Sequence, residues 1–446
     1  MNFQESVKYL YSLGNEVLAM KLGLTSTEKL LAALGNPQNN FLKIQIAGTN
    51  GKGSTCAFLE AICRAAGIAV GLTTSPHLVS ITERIKINGA EIGEKDFARC
   101  ATRVREISEK LVAKGELESV PTFFEQVTAI AVAAFAEAKI ELAILETGLG
   151  GRFDSVTATS AEIAALTPID YDHQKILGGT LAQIAAEKAA IIRENTRKVI
   201  VAPQKKEAAR VISGRCREMQ IEPVEVFPEV RPASKPAVED YSQNAVFNTG
   251  KVTFISRNDR YPDIGLSLWG KHQWTNAATA IEIAETLREF GFRVGRADIV
   301  SGLENARHKG RLEFYKNILF DGAHNAAGAK ALAEYFDEFI RQPITLIFGA
   351  MRDKDLSEIA KILFPRAEFL VFTRADNPRS METGELMEFL PAGFERENVH
   401  EAQTVREALE IASFLSGKGI TCVTGSLYLV GEAQKILSSG SERREF

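Results

Sequence analysis

An apolar run, a glycine-rich turn and an amphipathic segment follow one another from Phe41 to Gly67, "FLKIQIAGTNGKGSTCAFLEAICRAAG". A strand that hands over through glycines to a helix N-terminus belongs to a parallel sheet flanked by helices. The turn also has a chemical meaning. Main-chain N–H groups at such a junction point into one concavity, the helix end adds partial positive charge, and Lys52 can reach the terminal phosphates of a nucleotide. The usual pattern places Ser or Thr directly after that lysine. Here Gly53 intervenes and moves the hydroxyls of Ser54 and Thr55 along the helix start, so the hydroxyl that would hold a metal must come from elsewhere. The competing reading is a tight glycine turn beside a surface lysine.

The same alternation recurs. Short apolar runs at 41–48, 141–148, 162–169 and 197–203 lie between longer amphipathic segments, and the rhythm restarts after Gly295 with runs at 318–325, 344–351, 368–375 and 420–428. With 446 residues, too many for one ordinary core, the chain is expected to form two α/β domains. These are an N-terminal P-loop-type parallel-sheet ATPase domain (1–296) and a smaller Rossmann-like C-terminal domain (297–446). Between roughly 222 and 268, prolines and short runs such as "KVTFIS" and "IGLSLWG" predict antiparallel strands at the edge of the first domain. A short helix is expected within 291–313.

Composition narrows the partners. A formal net charge of −4, from 53 basic and 57 acidic residues, leaves no footprint for nucleic acid. No run approaches the ~18 to 20 apolar residues of a membrane helix, and the first residues lack a basic stretch followed by an apolar core. Five cysteines without metal-ligand spacing read as free thiols. A cytoplasmic monomer without nucleic-acid or membrane partners is expected.

Three segments place polar side chains after apolar runs, where ligands of open α/β sheets gather: "TTSPHLVSITERI" (73–85), "ILETGLGGRFD" (144–154) and "TPIDYDHQKILGGT" (167–180). Glu146 and His173 are therefore candidates for one shared metal site, although each taken singly also reads as an ordinary structural residue. Lys188 lies in the helical "LAQIAAEKAAIIRE" within an apolar surround. It is either a surface lysine or a desolvated amine able to form a carbamate with carbon dioxide.

The ordered strings "AGTNGKGS", "SPHL" with "ERI", "TFFE", "ETGLGGRFD", "DHQKILGGT", "AAEKA", "HQWTNAATA", "GRLE", "DGAHN", "MRDKD" and "TGSLY" resemble the folylpolyglutamate synthase and dihydrofolate synthase family of the Mur ligase superfamily. The resemblance implies an ATP-dependent ligase that joins L-glutamate to the carboxylate of dihydropteroate, of reduced folates, or of both. It implies an ATP site of Asn50, Gly51, Lys52, Gly53 and Ser54, completed by Asn276, Arg311 and Asp321. It implies magnesium, as two ions, with Ser75 and Glu146 on one and His173 with carbamylated Lys188 on the other. Lys52, Lys188, His173 and His324 are the expected catalytic residues, His324 placing the glutamate or the acyl phosphate.

For the pterin the resemblance implies Thr122, Phe123, Phe124 and Glu125 together with Phe153, Asp154 and Ser155, and a substrate loop at "MKLGL" (20–24). The chain departs from many relatives at "DSVT" (154–157), "EKAA" (187–190) and Lys21, positions that bear on substrate preference more than on ATP chemistry. Two other readings compete. A Mur-type peptide ligase of cell-wall synthesis generally needs an extra N-terminal domain, and a P-loop nucleotide switch needs a base-specifying N-K-x-D loop, which is absent here.

Overall fold

The computed structural model describes residues 1–14, 23–227, 229–232, 250–417 and 419–441. Met20, Lys21 and Leu22 of the expected substrate loop lie outside the described residues.

The first sheet is built from β1 (Leu42–Ala47), β2 (Val70–Thr73), β3 (Ile85–Ile87), β4 (Ala90–Glu91), β5 (Leu142–Glu146), β6 (Ile163–Leu166), β7 (Lys198–Val201) and β8 (Val224–Glu225). Their order is β4-β3-β2-β5-β1-β6-β7-β8. Strands β2, β5, β1, β6, β7 and β8 run parallel, and β3 and β4 turn back as an antiparallel edge. The central strands are buried along their length, as expected of a sheet covered on both faces. One face packs Phe97, Ile130 and Phe135 from the helices Glu94–Ala113 and Phe123–Glu137. Another apolar cluster joins Ala164, Leu166 and Val199 to Ile184 and Ile212 from the helices Leu181–Ala189 and Lys206–Glu218. The five cysteines are free and buried.

A small sheet follows, with β9 (Glu229–Pro232), β10 (Val252–Ile255) and β11 (Arg260–Ile264) in the order β11-β10-β9. The antiparallel pair β10 and β11 answers the expectation for this region, with one correction. "IGLSLWG" does not form a strand beyond Ile264; Leu266 and Leu268 are buried without entering a ladder. The strand lies one step earlier, where Tyr261 and Ile264 are the inward positions.

The second sheet contains β12 (Glu313–Tyr315), β13 (Ile318–Phe320), β14 (Ile344–Phe348), β15 (Phe369–Phe372), β16 (Val399–Glu401) and β17 (Ile420–Thr424), ordered β12-β13-β17-β14-β15-β16. All neighbours are parallel except β12 with β13. The short outer strands β12 and β16 carry too few apolar positions to have been read from the sequence.

Two compact units result: Met1–Arg231 with Val252–Ile264 and Thr275–Arg307, and Pro232–Lys251 with Gly265–Trp274 and His308–Phe446. The first therefore extends past the expected boundary at 296. Packing explains the difference, because the helix Arg296–Asn305 lies against the helix Lys52–Ala65, and a Cβ on Gly302 would sit 2.4 Å from the Ile62 main-chain nitrogen. Gly302→Ala would gain about 1 kcal/mol in helix propensity. The clash is with main chain that cannot step aside, so overpacking of about 1–3 kcal/mol dominates. A thermal melt should show a lower midpoint for this variant.

Candidate active site

The loop after β1 is fastened from below. The N–H groups of Thr49 and Asn50 both donate to the Pro168 carbonyl, at 3.1 and 3.2 Å. The Thr49 hydroxyl donates to the Asp170 carbonyl and accepts from the Asp170 N–H. These two amides are thus spent on the scaffold. Gly51, Lys52, Gly53 and Ser54 form the turn that opens the helix Lys52–Ala65, where the Thr55 N–H donates to the Gly51 carbonyl and the first N–H groups of a helix have no preceding turn to bond. Gly51 is required twice over: its φ is +86°, and a Cβ there would lie 2.2 Å from Asn276 Oδ1. The structure therefore brings Asn276 onto the phosphate loop. Lys52 folds back over the loop, donating to the carbonyls of Gly48 (3.1 Å) and Thr49 (3.4 Å).

Lys188 reaches one of the same carbonyls. Only 5% exposed, it donates to the Gly48 carbonyl at 2.7 Å. The surface-lysine reading is excluded, and Lys188 stands at the base of the phosphate loop.

The main chain at Ser75 is tied to the expected carboxylate. Glu146, at the end of β5 and 6% exposed, accepts a hydrogen bond from the Ser75 N–H at 3.0 Å. Parallel pairing sets this up, since Ile46 of β1 lies beside Glu146 and Thr73 of β2 lies beside Leu145. Burial pushes the Cys56 thiol well up, and Glu146 adds to the rise while Lys52 opposes it. Both charges therefore act on one thiol of the loop helix. His173 is placed differently, at the start of the short helix Gln174–Leu177 with φ +49°, its N–H bonded to Asp172 Oδ1. Among the described residues, no three His, Cys, Asp or Glu side chains gather as a metal nest.

The SPHL loop owes its shape to the glutamate of "ERI", a residue with no role assigned from the sequence. Glu83 accepts from the N–H groups of Leu78 (2.7 Å), Val79 (3.0 Å) and Ser80 (3.1 Å). Its signal is a capping box, Ser80 to Glu83, visible as S-x-x-E.

The expected pterin segments also mix structural and open positions. Glu125 accepts from the Thr122 N–H and hydroxyl, both at 2.7 Å, as a capping box. Asp154 accepts from Leu149 and Val156 N–H groups, one on each oxygen, and burial pushes its carboxyl up to about 6 despite those bonds and the Lys52 charge. Ser155 shares a hydrogen bond with Thr128. Phe123 is buried, Phe124 is half-buried, and Phe153 is exposed. Tyr11 stacks on Phe123, with ring centroids 5.7 Å apart and planes at 2°. Its hydroxyl meets His77 Nε2 at 3.1 Å, and Arg84 Nε donates to His77 Nδ1 at 2.7 Å. Burial, then the Arg84 charge, lower the His77 pKa to about 3.

In the second unit, Asp321 follows β13 and accepts from the Leu312 and Ala323 N–H groups at 3.0 and 2.9 Å. Burial raises its pKa, and the Arg311 charge is the largest opposing influence. Arg311 itself lies against Gly322, where a Cβ would come 3.0 Å from its guanidinium. The Gly322 carbonyl accepts a 2.7 Å hydrogen bond from His324 Nδ1, which puts the proton of a neutral ring on Nδ1 and the lone pair on Nε2. Asn325 caps the following helix through the Gly328 N–H. Burial, then Arg311, lower the His272 pKa to about 4.

Two outcomes follow from this geometry. Glu83→Gln sets an amide donor against one of the three N–H groups, which costs about 1–3 kcal/mol; hydrogen exchange should show faster exchange at Leu78, Val79 and Ser80. His272 takes up its proton near 6.5 when unfolded but only near 4 when folded. Its contribution is therefore complete above pH 6.5 and is lost as pH falls toward 4. Urea unfolding of wild type should lose up to about 2 kcal/mol more between pH 7 and pH 5 than His272→Gln; the comparison with the variant removes the opposite trend from Asp154 and Asp321, whose raised values favour the folded state as pH falls.

Residues 46–284 match the Mur ligase middle domain, and residues 310–427 match the Mur ligase glutamate ligase domain. The chain is similar to the dihydrofolate synthase/folylpolyglutamate synthase of Bacillus subtilis, at 32% identity over 98% of this chain and 99% of that protein. It is also similar to the protein of that name from Mycobacterium tuberculosis, at 34% identity over 93% and 89%. A solved folylpolyglutamate synthase of Mycobacterium tuberculosis, complexed with ADP and AMPPCP, superposes with a TM-score of 0.86 at 28% identity, covering 98% of this chain and 99% of that one. The chain belongs to the folylpolyglutamate synthase/dihydrofolate synthase family of ATP-dependent Mur ligases.

Proposed function

We propose that this protein adds L-glutamate to the carboxylate of a pteroyl substrate at the expense of ATP, making dihydrofolate from dihydropteroate and extending reduced folates with further glutamates. The observation that carries the proposal is the phosphate loop itself. Its Thr49 and Asn50 amides are fixed to Pro168, Lys52 and Lys188 meet at its Gly48 carbonyl, Asn276 lies against Gly51, and the Ser75–Glu146 pair stands at the end of the neighbouring strand β5. The nucleotide complexes of the Mycobacterium tuberculosis relative and the shared name of the two relatives support the same reading.

In this mechanism the substrate carboxylate oxygen attacks the γ-phosphorus while the bond to ADP breaks, giving an acyl phosphate. The amine of L-glutamate then attacks the acyl carbon, loses a proton, and inorganic phosphate leaves. Transfer of this kind depends on positioning and charge neutralisation more than on covalent help. Lys52 exchanges its loop carbonyls for the phosphates, and the amides of Gly51 to Ser54 hold them. Asn50 and Asn276 border the same loop, and Arg311 and Asp321 are further nucleotide contacts. His324, whose Nδ1 proton is held by the Gly322 carbonyl, orients the glutamate or the acyl phosphate.

Two magnesium ions complete the assignment, one held by Ser75 and Glu146, the other by His173 and a carbamate on Lys188. When bound, magnesium supplies charge neutralisation at the transferring phosphate. Thr122, Phe123, Phe124, Glu125, Phe153, Asp154 and Ser155 form or support the pteroyl pocket. Glu125 and Asp154 act there through the loops they hold. The enzyme is proposed to work as a cytoplasmic monomer; no helix among the described residues is long and apolar enough to cross a membrane.

Phosphate release should require both L-glutamate and a pteroyl acceptor, and mass spectrometry should find product with dihydropteroate and with tetrahydrofolate. ATP hydrolysis indifferent to both would instead point to a nucleotide switch, and turnover of a uridine-nucleotide-linked peptide to a cell-wall ligase. Glu146→Ala and His173→Ala should each lower turnover by more than about 100-fold with either acceptor; normal rates in both would overturn the metal assignment.

A further inference from the structure

The string "DSVT" (154–157), at which the chain departs from many relatives, ends on a residue that the function above does not use. Thr157 lies in the short helical turn Ser155–Thr159 and is 1% exposed. Its hydroxyl is 2.7 Å from the Gly151 carbonyl and 2.8 Å from the side-chain nitrogen of Gln45, a buried residue of β1. The same nitrogen reaches the hydroxyl of Thr147, just past β5, at 3.1 Å. One amide therefore joins the strand that runs into the phosphate loop, the strand that ends in Glu146, and the connection that carries Phe153, Asp154 and Ser155.

Chemistry fixes the direction of the bonds at Thr157. A carbonyl only accepts, so the single proton of the Thr157 hydroxyl goes to Gly151. The hydroxyl must then accept from Gln45, which turns the amide nitrogen toward both threonines and spends both of its N–H groups. A side chain at Gly151 has no room, because a Cβ there would lie 2.7 Å from the Glu187 carbonyl oxygen and 2.9 Å from that of Lys188. The neighbouring Arg152 donates its main-chain N–H to the Glu187 carbonyl at 2.9 Å. Gly151 is thus held twice, by the Thr157 hydroxyl and by its close approach to the helix Leu181–Ala189.

We infer that Gln45 and Thr157 are positioning residues for the acceptor: through the Gly151 carbonyl they set the shape of the segment 151–155 on which the pteroyl group binds, and so determine acceptor affinity without touching the acceptor. The inference rests on the acceptor class and pocket proposed above. A buried glutamine between two threonines also stabilises the core by satisfying polar groups. Loss of that role lowers the melting midpoint and bears on all substrates alike, whereas loss of positioning bears on one.

The test is steady-state kinetics on the full chain with dihydropteroate, ATP and L-glutamate. Thr157→Val keeps the shape of the side chain and removes the hydroxyl. The acceptor must then restore the segment as it binds, and apparent affinity falls with the fraction of protein in the competent shape. The KM for dihydropteroate should rise about fivefold, the equivalent of one neutral hydrogen bond, while kcat and the KM values for ATP and L-glutamate stay within about twofold of wild type. Thr157→Ser keeps the hydroxyl and loses a methyl group, so it should lower the melting midpoint and leave the KM for dihydropteroate at wild type. Gln45→Met, close in length but without donors, should raise the same KM, and combining it with Thr157→Val should add little to the rise of Thr157→Val alone. An unchanged KM for dihydropteroate in Thr157→Val, an equal rise for ATP, or an equal rise in Thr157→Ser overturns the inference and leaves the ligase reading in place. Should Thr157→Val fail to fold, Gln45→Met decides, and an unchanged KM for dihydropteroate there overturns the inference. Wild-type protein that makes no product from dihydropteroate overturns the acceptor class and this inference together.

Discussion

Loops at the carboxyl edges of parallel strands leave the sheet ladder, and their main-chain N–H groups still need acceptors when they are buried. In this protein buried carboxylates supply them. Glu146 holds Ser75, Glu83 holds Leu78 to Ser80, Asp154 holds Leu149 and Val156, and Asp321 holds Leu312 and Ala323. Glu146, Glu83 and Asp321 lie within two residues of a strand end and Asp154 lies in the longer connection between β5 and β6; each gives a shape to the connection it holds. The site depends on this device, because groups that bind a transition state must already be in place.

The same device sets the local charge. Lys52 and Lys188 meet at one carbonyl, that of Gly48, so two ammonium groups crowd the base of the loop. Glu146 acts on the thiol that Lys52 also acts on, and Asp154 lies within reach of the Lys52 charge. Bringing a polyanionic nucleotide to the loop relieves the crowding of like charges. Carbamylation of Lys188 would relieve it in another way, by exchanging one cation for an anion beside the phosphates.

Much of this was legible in the chain. The strand–glycine–helix order marked the phosphate loop, and the later apolar runs marked β13, β14, β15 and β17. The residues "SITE" and "TFFE" spell capping boxes, S-x-x-E and T-x-x-E. The resemblance drew attention instead to substrate contact for "TFFE", and the structure adds that Glu125 turns back to its own helix start. Short strands such as β12 and β16 escaped because three residues carry no period. "IGLSLWG" looked like a strand because its leucines alternate, and alternation records burial, not a ladder.

The sequence by itself determined the α/β class, the phosphate loop and the identity of most chemical groups, because these follow from local period, turn chemistry and motif order. Only the tertiary structure decided which groups meet. Asn276 is far from Gly51 in the chain yet fills the space that a Cβ would need. Lys188 finds Gly48 across the parallel sheet, and Tyr11 finds Phe123 and His77 through packing of the first helix. No local pattern encodes those contacts, since each depends on strand order and helix packing, which bring distant segments together only once the core has formed.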